Sequence, residues 1–402
     1  MAFVAAGLGL AFVVGRDGTP GWQVGRVVVV GLVVVAAWYA ISRRGGARVA
    51  AQLAVGLVAV PVGVGFGGPH LAKTGTTAAS AAGLAVLLGG LLLVGAGVAG
   101  LLRAVRRRFS VPSAIGVVLV QLALLWTLGQ AVAATNVSPV DVGARTPGDV
   151  GLAYEDVTFP AGDGVALSGW YVPSRNGAAA VLLHGAGSTR SNVLDHAAVL
   201  ARHGYGVLLY DARGHGRSEG RAMDFGWYGD LDLAGAVAFL EGEAGIAAGR
   251  IAAVGMSMGG EQAVGAAAAV DGIAAVVAEG ATNRVAGDKD WLSDEYGLRG
   301  AVSESLAWLT YAFTDLLTAA RPPAPMHEAV RAAPTPVLLI AAGDVADEAL
   351  AGRYIRSASP GTVTLWAVPG TGHTAALRTH PGAWEERVTS FLDGSLGLAA
   401  AG

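Results

Sequence analysis

Long stretches without a charged residue dominate the first 140 residues and limit what this part of the chain can form. Uncharged runs extend over Val49–Pro69, Thr74–Leu102 and Phe109–Val140, which are 21, 29 and 32 residues long. A helix needs about 20 apolar residues to cross the hydrocarbon core of a bilayer. Each run is therefore predicted to form a transmembrane helix, because several such runs in succession are not expected in the core of a soluble protein.

A shorter uncharged run, Val27–Ser42, precedes these three and is bounded by Arg26 and Arg43. Arginine side chains at the ends of a short span can reach back to the interface, so this run is predicted to span as well. The apolar segment Met1–Gly15 is either a first span or the core of a signal segment, and its lack of a basic start and of a small-residue cleavage site favours the span. Residues 1–134 are thus predicted to hold four or five transmembrane helices.

The charges of the chain are divided unevenly. Residues 1–140 carry a net charge of +9 and residues 141–402 carry −12, so the whole chain has −3. Arginines cluster in two alternate loops between apolar runs: Arg43, Arg44 and Arg48 in one, and Arg103, Arg106, Arg107 and Arg108 in the other. Because positively charged loops stay in the cytoplasm, the part after the last span is predicted to be extracytoplasmic, in a multi-pass cell-membrane protein. Its acidic charge argues against nucleic-acid binding.

The composition changes after the apolar runs. Residues 135–151 are rich in Pro, Gly, Asp and Thr and are predicted to form a linker. Over residues 152–395, short β-branched runs alternate with Ala-rich helical stretches. The predicted strands are Tyr154–Phe159, Leu167–Val172, Ala179–Leu183, Gly206–Tyr210, Ile251–Gly255, Ile273–Ala278, Val337–Ala341 and Val363–Val368. The predicted helices are Ser191–His203, Tyr228–Gly242, Ser257–Val270, Ala346–Ile355 and Pro381–Leu392. This alternation is typical of an α/β fold with a mostly parallel eight-stranded sheet and helices on both faces.

Residues 281–333 interrupt the alternation of strands and helices. They contain Trp291, Trp308 and Tyr311 in helical patterns. We interpret this segment as an insertion and a candidate lid, whose aromatic content hints at apolar acyl groups.

The motif Gly255-Met256-Ser257-Met258-Gly259 follows one predicted strand and opens a helix. G-x-S-x-G in this context is typical of a nucleophile elbow, where a sharp turn lifts a serine hydroxyl above the sheet edge. The sequence therefore predicts Ser257 as a nucleophile. The amide of Met258 is predicted to bind the oxyanion of a tetrahedral intermediate, and the amide of Ala186, in the turn Leu183–Gly187, is predicted to be the second donor.

A histidine and an acid that follow the nucleophile complete the predicted site. His373 lies on the loop after the last strand, from which it can reach a serine at the end of another strand, and we predict that it is the general base. Three acids follow the strand Val337–Ala341, and one of them must orient the imidazole. We favour Asp347, with Asp344 as the first alternative and Glu348 as the third candidate. His184 and His215 precede the nucleophile and are interpreted as residues that organise turns.

Four pieces of the chain together resemble the α/β-hydrolase superfamily over roughly residues 152–395. They are Leu183–Gly187, Asp211–Ser218, Gly255–Gly259 and Gly372-His373. The second is similar to the D-x-R-G-x-G-x-S turn after the fourth strand of these enzymes. Within the superfamily, the chain resembles bacterial membrane-tethered hydrolases near the serine aminopeptidase-like and dienelactone hydrolase-like groups. The acid loop Ala341–Glu348 departs from the usual G-x-x-D spacing, so the choice of acid stays open.

The resemblance implies a Ser-His-acid triad that cleaves an ester, thioester or amide in a small-molecule acyl substrate. The sequence therefore predicts a serine hydrolase anchored in a lipid bilayer, with no metal or cofactor. The chain has no cysteine, which excludes disulfides, thiolate zinc sites and a cysteine nucleophile. The alternatives are an acyltransferase, which shares the acyl-enzyme, a catalytically inactive domain that binds partners, and a membrane half that itself binds or transports a lipid.

Overall fold

A computed structural model describes residues 20–42, 45–136 and 140–398. These residues fall into two compact units. The first contains the described part of 1–138 together with Ser305–Ala320, and the second contains the described part of 139–304 and 321–402.

In the described part of the chain before the linker, the structure has the helices α1 (Pro20–Ser42), α2 (Gly46–Thr74), α3 (Ala78–Ala104) and α4 (Arg107–Thr135). Among the described residues, α2, α3 and the 108–135 part of α4 are long and apolar enough to cross a membrane. The helices expected over the three long uncharged runs are therefore present. The segment Met1–Gly15 lies outside the described residues.

Glycines allow α2 and α3 to pack backbone against backbone. A Cβ atom added to Gly83 would lie 2.3 Å from the Cα of Gly67, and one added to Gly63 would lie 2.5 Å from the amide nitrogen of Leu87. Small residues permit this close approach in helix pairs within membranes. The buried His70 side chain bonds within its own helix, because its Nδ1 lies 2.8 Å from the carbonyl oxygen of Phe66.

The second unit is built on one eight-stranded sheet in the order β1-β2-β4-β3-β5-β6-β7-β8. Strand β2 is antiparallel to both of its neighbours, and β3 to β8 are parallel to one another. The strands are β1 (Glu155–Pro160), β2 (Ala166–Val172), β3 (Ala179–Leu183), β4 (Gly206–Tyr210), β5 (Ile251–Met256), β6 (Ile273–Glu279), β7 (Val337–Ala342) and β8 (Val363–Val368). The predicted mostly parallel sheet is confirmed, and each strand end lies within one residue of its predicted position.

Helices cover both faces of the sheet, which buries the central strands completely. The helices that follow the linker are α5 (Leu194–Arg202), α6 (Gly229–Glu241), α7 (Met258–Ala266), α8 (Leu292–Tyr296), α9 (Leu298–Leu317), α10 (Met326–Ala332), α11 (Ala346–Ala358), α12 (Ala376–Thr379) and α13 (Pro381–Ser395). Leu233 of α6, Val264 of α7 and Val330 of α10 belong to one core. Leu200 of α5 and Trp384 of α13 belong to the core on the other face.

The candidate lid lies between β6 and β7 and consists mainly of α8, α9 and α10. Helix α9 is the longest of these, and its residues from Ser305 onward belong to the first unit rather than to the unit of the sheet. The role of the 281–333 segment as a lid stays a prediction.

Candidate active site

Ser257 lies on a tight turn between the end of β5 and the first residue of α7. Its backbone has φ of 54° and ψ of −123°, a strained conformation for a residue with a side chain. A Cβ atom on Gly255 would lie 2.2 Å from the carbonyl oxygen of Gly259, and one on Gly259 would lie 2.4 Å from that of Leu183. The turn therefore needs glycine at both positions, which explains the G-x-S-x-G pattern physically.

His373 reaches this serine from the loop after β8. Its Nε2 lies 2.9 Å from Ser257 Oγ, although the two residues are 116 positions apart in the chain. The distance is short enough for a direct proton transfer between hydroxyl and imidazole. The two side chains that the sequence singled out are thus brought together.

The acid beside this imidazole is Glu348. Its Oε1 lies 2.5 Å from His373 Nδ1, and its Oε2 accepts a hydrogen bond of 2.7 Å from the amide of Ala342. The Glu348 side chain is 2% exposed, whereas the imidazole is 49% exposed. A buried carboxylate held at both oxygens fixes the ring orientation and the tautomer of a histidine.

The expectation that Asp347 or Asp344 contacts His373 is therefore wrong. Asp347 is exposed, and its Oδ1 accepts a hydrogen bond of 2.8 Å from the hydroxyl of Tyr296. Asp344 is also exposed, and it contributes a backbone bond from its amide to the carbonyl oxygen of Thr371. Successive residues of a helix point about 100° apart, so only one of the acids 347 and 348 on α11 can face the imidazole.

The charges around His373 stabilise its protonated form. The hydrogen bond that Nδ1 donates to Glu348 raises the pKa of His373 above its usual value. Partial burial acts in the opposite direction, and Coulombic contributions from Glu348, Glu261 and Glu279 raise the pKa further. Burial also raises the pKa of Glu261 to about 7, although the amides of Asn283 and Thr282 donate to its carboxylate.

A second buried acid, Glu279 at the end of β6, connects the nucleophile to the histidine loop. Its carbonyl oxygen accepts from the amide of Ser257 at 2.7 Å. Its carboxylate accepts from the amide of Ala376 at 2.8 Å and from the indole of Trp384 at 3.1 Å. Burial raises the pKa of Glu279, and these two hydrogen bonds lower it. No motif in the sequence points to Glu279, although an acid that ends an otherwise apolar strand is a detectable signal.

The turn after β3 lies directly against the nucleophile. A Cβ atom on Gly185 would lie 3.2 Å from the Cβ of Ser257. Within the described part of the chain, the backbone amides of Ala186 and Met258 have no hydrogen-bond acceptor. Both of the predicted oxyanion donors are therefore free of bonds to other protein groups.

Two histidines support this turn. The amide of Ala212 donates to Nε2 of His184 at 3.0 Å, so Nδ1 carries the proton and donates to the carbonyl oxygen of Gly185 at 2.8 Å. Burial lowers the pKa of His184 to about 4, which keeps the ring neutral. The amide of Gly187 lies 3.4 Å from Nε2 of His215.

A cavity of about 220 Å³ opens beside His373 and Glu348. Its other lining residues are Thr282, Asn283, Lys289, Trp291, Leu292, Val345 and Asp347. Five of these come from the segment after β6, so the insertion supplies much of the wall.

In the described ranges, no group of three or more His, Asp or Glu residues is arranged to hold a metal ion.

Comparisons with known proteins agree with this fold. A sequence profile described as an alpha/beta hydrolase family matches residues 180–387, just over half of the chain. An esterase of Pyrococcus furiosus has a similar structure, with a TM-score of 0.51 and 26% sequence identity, over 65% of this chain and 99% of the esterase.

Two curated relatives match shorter stretches. An uncharacterised protein of Mycobacterium tuberculosis is 35% identical over 116 residues, which are 28% of this chain and 41% of that protein. A thiohydrolase of Aspergillus aculeatus is 37% identical over 123 residues, which are 28% of this chain and 37% of the thiohydrolase. The chain thus spans about two fifths of the length of these relatives.

Proposed function

Because the chain belongs to the α/β-hydrolase family, we propose that it is a serine hydrolase that cleaves an ester or thioester, or an amide, through Ser257, His373 and Glu348. The observation that carries the proposal is the continuous contact from Ser257 Oγ to His373 Nε2 at 2.9 Å and from His373 Nδ1 to Glu348 at 2.5 Å. The esterase and thiohydrolase relatives favour an oxygen or sulfur ester as the bond that is cleaved.

In the proposed reaction, His373 accepts the proton of Ser257 while Oγ attacks the acyl carbonyl carbon. The amides of Met258 and Ala186 donate to the oxyanion of the tetrahedral intermediate. His373 then gives the proton to the leaving alcohol or thiol as the bond to it breaks. A water molecule, deprotonated by His373, then attacks the acyl carbon of the acyl-enzyme. The bond from that carbon to Ser257 Oγ breaks, His373 returns the proton to Oγ, and the acid is released. Glu348 keeps the proton of the neutral imidazole on Nδ1, so that Nε2 is the base.

Replacement of Ser257 tests the proposal directly. We expect Ser257→Ala in the full-length protein to lower kcat for p-nitrophenyl esters by about 10⁶-fold, as the loss of a triad serine does elsewhere. It should also abolish labelling by a fluorophosphonate probe. Ser357→Ala, on the exposed surface of α11, is the matched control and should keep both activities. Undiminished turnover or labelling of the Ser257 variant would contradict the proposed nucleophile.

The proposed setting of this activity is a membrane. Helices α2, α3 and α4 have the length and hydropathy of spans, and their exposed surfaces carry large apolar side chains. We expect them to anchor the catalytic domain to a bilayer. Flotation of the full-length protein with lipid vesicles in a density gradient measures this, and recovery of all the protein in the aqueous fraction would oppose it.

A further inference from the structure

The second half of the long insertion helix, Ser305–Leu317 of α9, packs with the helices of the first unit. Leu317 belongs to the same buried cluster as Val55 of α2 and Val132 of α4, and Phe313 packs against that cluster. The segment is therefore part of the unit that contains the candidate membrane spans.

The buried face of this segment keeps its polar groups bonded internally. Thr310 Oγ1 donates to the carbonyl oxygen of Leu306 at 2.9 Å, and Thr314 Oγ1 donates to that of Thr310 at 2.9 Å. Thr314 is completely buried and Thr310 almost so. Hydroxyl groups bonded back to their own helix need no water, which suits an apolar environment.

The opposite face of the segment carries two exposed apolar side chains beside one exposed acid, Asp315. Trp308 and Leu316 are 62% and 63% exposed, and the half-buried Ala312 lies between them. Residues four apart share a face of a helix, so the three form one stripe. No charged residue lies between Glu304 and Asp315.

This stripe belongs to the same unit as a larger apolar surface. The exposed apolar residues of α3 and α4 include Leu88, Leu91, Leu92, Ile115, Val118 and Leu119. A helix with one apolar face and too few apolar residues to span is typical of a segment that lies in the membrane interface, where tryptophan is enriched. Among the described residues, α9 is not one of the helices that qualify as a span.

We propose that Ser305–Leu317 is a membrane-contacting helix whose Trp308, Ala312 and Leu316 lie in the lipid of the bilayer interface. The proposal rests on the proposed spanning of α2 to α4. We infer that the stripe contacts the bilayer and not a second copy of this chain. The stripe has large apolar side chains like those on the exposed surfaces of α3 and α4, which belong to the same unit and are proposed to face lipid. The predicted lid segment would then include an element that is held by the membrane.

The test uses the absence of cysteine in the full-length chain, which leaves no background thiol. Trp308→Cys, Ala312→Cys and Leu316→Cys are each spin-labelled in vesicles of phosphatidylcholine and phosphatidylglycerol. Collision rates of the label with oxygen, which concentrates in lipid, and with a water-soluble nickel chelate are then measured. Leu119→Cys on α4 is the lipid-facing control, and Ser357→Cys on α11 is the aqueous control.

We expect the three labels to show an oxygen-to-nickel ratio several-fold above that of Ser357→Cys and close to that of Leu119→Cys. Ratios like that of Ser357→Cys would overturn the proposal. A second result would also overturn the proposal: labels that are protected from both reagents and that show dipolar broadening in fully labelled samples. That combination indicates contact between two copies of the chain.

The controls separate the possible failures. A Leu119 label that reports water refutes the spanning of α4 and the proposal with it, whereas a lipid signal at Leu119 with water at 308, 312 and 316 refutes the proposal alone. An unchanged melting temperature shows that each variant is folded. Folding is therefore checked without a measurement of hydrolysis, and the accessibility of the label can be interpreted whether or not the protein is active. The small change at Ala312 keeps the test informative if Trp308→Cys unfolds.

Discussion

At the scale of single residues, the site depends on which of two adjacent acids faces the imidazole. Asp347 and Glu348 are neighbours in sequence, but Asp347 bonds to Tyr296, whereas Glu348 is buried against His373. The amide of Ala342, which ends β7, holds the second oxygen of Glu348. The strand end and the first turn of α11 thus select the acid together, and no property of either side chain alone does so.

The two acids provide a matched pair of variants. We expect Glu348→Gln to lower kcat by about 10³ to 10⁴-fold, because the amide no longer stabilises the imidazolium or enforces its tautomer. Asp347→Asn changes the same charge one residue away and should keep most of the activity. Steady-state kinetics on a p-nitrophenyl ester measures both. Equal losses in the two variants, or a loss only in Asp347→Asn, would refute Glu348 as the orienting acid.

The same contact predicts a pH dependence. Glu348 raises the pKa of His373, and the imidazole is a base only when it is neutral, so the acidic limb of kcat/KM should lie above pH 6.5, the ordinary pKa of histidine. In Glu348→Gln the remaining effect of burial lowers that pKa, so the limb should move to lower pH. Profiles of the residual activity against pH check the direction. A limb that stays in place would show that the two groups are not coupled.

At the scale of elements, the ends of parallel strands determine where the functional groups meet. Ser257, Glu279, Ala342 and His373 lie at or just beyond the ends of β5, β6, β7 and β8, which are neighbours at one edge of the sheet. Fully buried parallel strands appear in a sequence as continuous apolar runs, so their existence and ends were predictable. The ends of the helices were less predictable from the sequence. Helix α7, for example, begins at Met258 and not at Ser257, because Ser257 has a positive φ, which an α-helix does not accommodate.

The elbow between β5 and α7 predicts the effect of a single methyl group. Gly255→Ala would bring a Cβ atom to 2.2 Å from the carbonyl oxygen of Gly259. Overpacking of this kind costs about 1–3 kcal/mol and displaces the turn that holds Ser257, so both the melting temperature and kcat should fall. Gly394→Ala in α13 has nothing within 4 Å of the added atom and should stabilise the helix by about 0.5–1 kcal/mol. A harmless Gly255→Ala would refute the close packing of the elbow.

At the scale of the whole molecule, the α/β-hydrolase domain and the apolar helices belong to separate units. The sequence predicts on which side of the membrane the domain lies. Both clusters of arginine, around Arg48 and around Arg106, lie in alternate loops and are expected to be cytoplasmic. A fifth span at Met1–Gly15 would change only the side of the N-terminus, so the domain after α4 is expected outside.

Single cysteines in the cysteine-free chain test this orientation. A membrane-impermeant maleimide added to intact cells should label Ser357→Cys on the exposed surface of α11. It should leave Ala104→Cys, beside the second arginine cluster, unlabelled until the cells are permeabilised. The reverse pattern would place the catalytic domain in the cytoplasm, and the proposed hydrolysis would remain unaffected.

Composition and periodicity by themselves predicted the apolar helices and the strands, because these features depend on burial and on residues close together in sequence. The nature of the site was predicted from the G-x-S-x-G motif and from the resemblance to a family. Ser257 and His373 were predictable, since a strand, a glycine pattern and the chain order each point to them. The identity of the acid, the bridging role of Glu279 and the place of Ser305–Leu317 among the apolar helices were decided only in the tertiary structure. Each depends on contacts between segments far apart along the chain, and local sequence does not specify the direction in which a side chain of a helix points relative to a distant partner.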